Sequence, residues 1–228
     1  MSNNIYTVYG TTRAPEFKGL WDGPAWQRAP AATLASFRPE SSAHRPLTRV
    51  KLLYDRTGLY GLFRVRDRYV RCTRTGLQAE VYKDSCVEFF VKPLQTGGYF
   101  NFEFNCGGAM RAAYIRDHRR TRDGFKDYTP LPMALCRRVR IHHTMPETVA
   151  PERVQDTLWH LEFFIPLSLL ETYSGKLAMG EGGLWQANFY KCADESSHPH
   201  WAAWSEVDAL NFHLPHCFGQ IRFAGPLA

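Results

Sequence analysis

Two glutamates, Glu88 and Glu103, stand where side chains could do chemistry together. The run Cys86-Val87-Glu88-Phe89-Phe90-Val91-Lys92 sets Val87, Phe89 and Val91 against Cys86, Glu88 and Lys92. The run Tyr99-Phe100-Asn101-Phe102-Glu103-Phe104-Asn105 sets three phenylalanines against Asn101, Glu103 and Asn105. A period of two is that of a strand with one face on a core. Joined as a hairpin through residues 93–98, the two strands place Glu88, Glu103 and Asn105 on one face, as carboxylate acceptors and an amide donor. Glu88 is thus expected on a face, not in a core. A carboxylate pair on adjacent strands is the equipment of glycoside hydrolysis, in which the separation of the two groups decides the stereochemical course. Hydrolysis also needs a cleft deep enough to raise one acid's pKa, and no such burial is written in these residues. Recognising a sugar demands less. Aromatic rings cover the apolar pyranose face, planar polar side chains order the hydroxyls, and about 1 kcal/mol per hydrogen bond suffices. Binding without chemistry is the favoured expectation, with a hydrolase using Glu88 and Glu103 as the alternative.

Other chemistries find less support. His198, His200, His213 and His216 are close in sequence, but a proline interrupts each pair and no His-Glu-x-x-His motif accompanies them, so they are expected to be solvated loop residues. The six cysteines include no Cys-x-x-Cys pair and read as ordinary thiols at strand positions. No cofactor is expected. A structural Ca²⁺ held by turns such as Asp22-Gly23 or Asp194-Glu195 stays open, although no twelve-residue calcium loop is present. There is no Gly-x-Ser-x-Gly elbow and no glycine-rich phosphate loop. The net charge of +6 comes largely from arginine, in clusters at Arg64–Arg74 and Arg116–Arg122. Asp67 breaks the first cluster, Asp117 and Asp123 break the second, and no zinc-finger or RNA-recognition signature is present, so nucleic acid is not an expected partner.

The elements that must position these residues read as strands. The hairpin over 48–55 and 59–67 is the clearest, with Arg56-Thr57-Gly58 as its turn. Further strands are expected over 5–9, 110–116, 135–143, 157–165, 184–192 and 220–223. In the strand over 184–192, Gln186, Asn188 and Tyr190 share a polar face. Residues 68–83 lose their period and read as a long loop delivering Tyr82 to the next strand. A short helical turn follows Pro166, and Trp21 and Trp26 flank an Asp-Gly-Pro turn as core plugs. The 228 residues, 44% hydrophobic and 14% aromatic, contain no linker or repeat. They predict one all-β domain over 1–228, a single antiparallel, jelly-roll-like β-sandwich with long loops and at most short helical turns. Met1-Ser2-Asn3-Asn4 opens without a basic and apolar leader, so no signal peptide is expected here, leaving export or a cytoplasmic location open. No apolar run reaches membrane-spanning length, so no membrane partner is expected, and oligomeric state is not legible.

In order along the chain come Leu59-Tyr60, Asp84-Ser85-Cys86-Val87-Glu88-Phe89-Phe90, Asn188-Phe189-Tyr190, Trp204-Ser205, and Phe212-His213-Leu214-Pro215 before Phe218-Gly219. This succession resembles the family 9 carbohydrate-binding modules found with xylanases, β-sandwiches related to DOMON domains. The resemblance spans nearly the whole chain; each motif is short, and their combination is what is specific. It implies binding at the end of a glucan or xylan chain, as an accessory to polysaccharide degradation, with two aromatics clamping the sugar. Tyr82 falls where the family places its first clamp tryptophan and Phe212 where it places the second, with His213 beside it. Glu88 matches the family's glutamate, Asn105 a polar strand position, and Asn188 and Tyr190 lie near another. Both clamp residues are smaller here, and Glu103 stands where an arginine is usual, so the ligand need not be the family's own. DOMON kinship adds haem as a minor alternative, with Met110 and Met133 among conceivable axial ligands.

Overall fold

A computed structural model describes residues 4–122 and 124–226. Asp123, counted above among the acids of the second arginine cluster, and Met1-Ser2-Asn3 lie outside the described residues. The strands are β1 (Ile5–Gly10), β2 (Ala32–Leu34), β3 (Ser36–Phe37), β4 (Leu47–Tyr54), β5 (Gly58–Asp67) and β6 (Val70–Cys72). They continue as β7 (Cys86–Lys92), β8 (Tyr99–Asn105), β9 (Met110–Thr121), β10 (Gly124–Pro130), β11 (Arg140–His143) and β12 (Val149–Arg153). The last four are β13 (Thr157–Pro166), β14 (Leu184–Cys192), β15 (Trp201–Ala203) and β16 (Gly219–Pro226). Two short helices, α1 (Met133–Cys136) and α2 (Leu167–Ser174), interrupt them.

The strands form a sandwich. One leaf runs β10-β9-β8-β7-β14-β16 and the other β4-β5-β13-β11. β1 joins the leaves, parallel to β16 along its length and to β4 only at Tyr9 and Gly10. The rest of each leaf is antiparallel. The alternating phenylalanines explain why the leaves close on each other. Phe89 and Phe104 from the first leaf meet Phe163 of the second at 5.7 and 5.2 Å between ring centroids, and Phe189 meets Phe63 at 6.4 Å. All five are fully buried, each contributing about 1.5–3 kcal/mol. Gly61, the register partner of Phe163, makes room for that ring, since a Cβ there would lie 2.0 Å from it.

The outer face of the second leaf is closed by the segment before β2. Trp21 and Trp26 pack on Leu53, Tyr60 and Leu62, filling the place expected of them. Buried Lys51 donates to the carbonyls of both tryptophans, and Glu162 accepts from the Gly19 amide and the Trp26 indole.

Two segments differ from the sequence expectation. Only Arg140–His143 of residues 135–143 is a strand, because Met133–Cys136 turns as a helix behind Pro132. The stretch 68–83 is not one loop: it contains β6, paired with β12, and a 3-10 turn over Val81–Lys83. Among the described residues no helix is long and apolar enough to cross a membrane.

Candidate functional site

The outer face of the first leaf carries the site. Its register lays out cross-strand rows. Tyr190, Glu88, Glu103 and Arg111 form one row across β14, β7, β8 and β9, and Cys192, Cys86 and Asn105 form the next. On the far side of the first row, Asn188, Phe90, Asn101 and Ala113 form a third. Glu88 lies on this face as expected, but the face is covered: Glu88 is 3% and Glu103 5% exposed. The reason is a cover from far along the chain. Phe90, Tyr99, Ile115 and Tyr190 make half of the face apolar, and Val207 and Phe218 pack onto it. Over the polar half a cavity of about 420 Å³ remains, bounded by Tyr82, Trp201, Phe212, Phe125 and Tyr128.

The floor is acidic and only partly neutralised. Burial and then the neighbouring Glu103 push the Glu88 carboxyl well above its ordinary range. Burial raises Glu103 to about 7, against the pull of Arg111. Glu103 Oε1 accepts from Asn101 Nδ2 at 2.5 Å, while Oε2 is buried without a hydrogen-bond partner. Asp194, also raised by burial, accepts from the Trp201 indole at 2.8 Å. Arg111 and Arg120 supply the positive charge of the lining, with guanidinium groups 5.9 Å from the Tyr82 ring centre and 4.1 Å from that of Phe125. Arg111, the register partner of Glu103, thus sets a cation beside that carboxyl on the next strand.

Of the residues singled out in the sequence, Tyr82, Glu88, Glu103, Phe212 and His213 line this cavity together. Tyr82, Trp201 and Phe212 pack against one buried cluster, although no stacking contact joins Tyr82 and Phe212 among the described residues. His213 shares a hydrogen bond with the Tyr99 hydroxyl at 2.9 Å, and burial followed by the charge of Arg120 keeps it neutral.

Asn105, Asn188 and Tyr190 stand behind the lining. Asn105 donates to the Arg74 carbonyl and Asp84 and accepts from the Ala109 amide, bracing the loops below Tyr82. Asn188 exchanges hydrogen bonds with the Ser205 backbone, pinning the start of the cover. Tyr190 stacks flat on Phe212 at 4.1 Å and donates its hydroxyl to the Phe212 carbonyl, propping that ring. The sequence reading missed Asn101, Arg111, Arg120, Phe125, Tyr128, Asp194 and Trp201. Asn101 and Arg111 could have been found by continuing the alternation and register; nothing local marks Trp201.

The four histidines are not brought together as a metal site. His200 is fully buried against Lys191 at 2.7 Å, correcting its assignment to a solvated loop, while His213 faces the cavity and His216 pairs with Asp208. Of the acids named for calcium, Asp194 accepts from the Trp201 indole, and Glu195 pairs with Arg74 and Lys83. Met110 lies in the inter-leaf core and Met133 is 42% exposed on α1, so these two residues named for haem do not face one pocket.

The model of carbohydrate-binding family 9 matches residues 25–223. The chain belongs to that family. Among solved structures, a Bacteroides uniformis protein proposed to bind carbohydrate superposes with a TM-score of 0.83 at 25% identity, covering 97% of this chain and 100% of that one. A family 9 module of Caldicellulosiruptor kristjanssonii in complex with cellotriose gives 0.66 at 14% identity, over 98% of this chain and 95% of that one. The same organism's module with glucose gives 0.64 at 13%, over 97% of each chain. At those identities the two modules show the shared β-sandwich. No curated protein sequence matches the chain.

Proposed function

We propose that the cavity over β7, β8, β9 and β14 binds a saccharide without transforming it. The ligand class is the end of a glucan- or xylan-type chain or a short oligosaccharide, and the role is accessory to polysaccharide breakdown. The observation carrying this reading is the convergence of half-buried Tyr82, Trp201 and Phe212 with Glu88, Asn101, Glu103 and Arg111 in one cavity. Aromatic faces take up the apolar side of a pyranose, and fixed carboxyl, amide and guanidinium groups order its hydroxyls. Membership of family 9 and the glucose and cellotriose bound by the Caldicellulosiruptor modules support the same ligand class.

Calorimetry against glucose, xylose, cellobiose, xylobiose and their alditols tests the proposal, with Phe212→Ala as control. Binding should appear with a sugar, vanish with its alditol and weaken in the variant. Silence across the panel would overturn it.

The facing acids Glu88 and Glu103 are what favours the second reading, a hydrolase. Burial raises both carboxyls, Glu88 well above its ordinary range and Glu103 to about 7, and hydrolysis needs one of the two protonated and the other ionised. Release of reducing sugar that Glu88→Gln abolishes, with binding retained, would establish it.

A further inference from the structure

Beneath the cavity, two thiols and a carboxyl are arranged in a way that sugar binding does not require. Cys86 and Cys192 are direct register partners on β7 and β14, both buried, and neither is in a disulfide. Glu88 Oε1 lies 3.2 Å from Cys192 Sγ and 3.9 Å from Cys86 Sγ, and all three donor atoms fall within 4.8 Å of one another.

We propose that Cys86, Cys192 and Glu88 form a binding site for a thiophilic divalent cation of the zinc class. With Zn–S of about 2.3 Å and Zn–O of about 2.0–2.2 Å, a tetrahedral centre has S···O edges of about 3.5 Å. The two observed S···O distances straddle that edge, and the third pair lies within 4.8 Å. Two thiolates and one carboxylate select zinc over calcium or magnesium, which prefer all-oxygen shells.

A second observation points to a cation here. Glu103 stands opposite Glu88, and its Oε2 is buried and unpartnered on the same floor. A divalent ion offsets this crowding of acids, and its fourth position is left for Glu103 or for a ligand entering the cavity. Binding displaces the two thiol protons, and that of Glu88 where the carboxyl carries one, to solvent, with no change of oxidation state. Burial pushes both thiols up, Cys86 to about 12, so the ion has to displace firmly held protons, and Lys191 offsets this only slightly at Cys86.

The test needs no sugar, so its failure and that of the saccharide reading are separable. Full-length protein, chelator-stripped, with its thiols confirmed free by mass, is titrated with Zn²⁺ against a chromophoric chelator and separately with Co²⁺. One ion per chain is expected, with sulfur-to-cobalt charge-transfer absorption. Cys192→Ser and Glu88→Gln should each weaken Zn²⁺ by at least the ~10–100-fold that loss of an outer-shell partner produces. His216→Ala, which dismantles the exposed Asp208/His216/Cys217 group, should leave binding unchanged. Absence of a stoichiometric ion or of the charge-transfer band in the wild-type protein would overturn the proposal without recourse to a variant. Binding that survives Cys192→Ser or disappears in His216→Ala would overturn it too.

Discussion

Lys191 and Cys192 are neighbours on β14, yet alternation turns them to opposite sides of the sheet, into two buried polar regions of opposite character. On Lys191's side, opposite charges meet. Its Nζ lies 3.3 Å from Asp67, close enough for an ion pair though not aligned as a hydrogen bond, and donates to His200 Nε2 at 2.7 Å. Asp67 also meets His44 at 2.7 Å, while His200 Nδ1 donates to the His198 carbonyl. Burial opposes the charge on Asp67, but Lys191 and then His44 win and hold it well below the usual carboxylate range. Burial and Lys191 drive His200 down to about 3, so it serves as a neutral acceptor. On Cys192's side, Glu88, Glu103 and Asp194 share a cavity and keep raised pKa values. The first region balances its own charge, although Asp67 Oδ2 accepts no hydrogen bond. The second waits for something from outside, the physical mark of a binding site.

The sharpest way to break this contrast is Lys191→Met. Removing one member of a paired buried network leaves Asp67 uncompensated and should cost about 3–5 kcal/mol in urea unfolding at pH 7. Saccharide affinity of the folded fraction should hold. A near-neutral result would mean that the network is not the charge-balanced unit described.

Glu103→Gln should act in the other direction. The folded pKa of about 7 exceeds the unfolded value of about 4.3, so the native state holds the proton more tightly and loses stability as pH rises between the two. The amide removes that penalty. Thermal melts should therefore show the variant gaining on wild type at pH 8 by roughly 1–3 kcal/mol, and by much less at pH 5. An equal effect at both pH values would contradict an uncompensated acid.

The smallest effects belong to the cavity's walls. Tyr82→Ala or Phe212→Ala should lower saccharide affinity by about 0.5–1.5 kcal/mol beyond lost contact area. Asn105→Ala, which lies behind the lining, should lower stability more than affinity. A reversed order would put the binding surface elsewhere.

The sequence made the floor legible and hid the roof. Strict alternation in residues 86–92 and 99–105 specified both strands and their pairing, and with them the facing of Glu88 and Glu103. The same pattern is blind to what lies over a face. Val207, Phe212 and Phe218 reach Glu88's neighbourhood from more than a hundred residues away, so the burial of Glu88 left no local trace. Asn105, Asn188 and Tyr190 were read onto the correct face, but alternation cannot tell a lining residue from one turned under a loop. Leu135 and Cys136 were misread as the start of a strand because apolar positions suit a strand or a helical turn equally, and Pro132 decided for the turn.

The central claim is that saccharide binds over β7, β8, β9 and β14. Its rival is a second cavity, of about 320 Å³, beside Trp26 and Glu162 on the opposite leaf. Backbone and indole chemical-shift mapping during a cellotriose titration distinguishes them most directly. Perturbations centred on Tyr82, Glu88, Glu103, Arg111 and the Trp201 indole, with Trp26 silent, are the predicted result. Perturbations centred on Trp26, Phe17 and Glu162, with the Trp201 indole unmoved, would contradict the account.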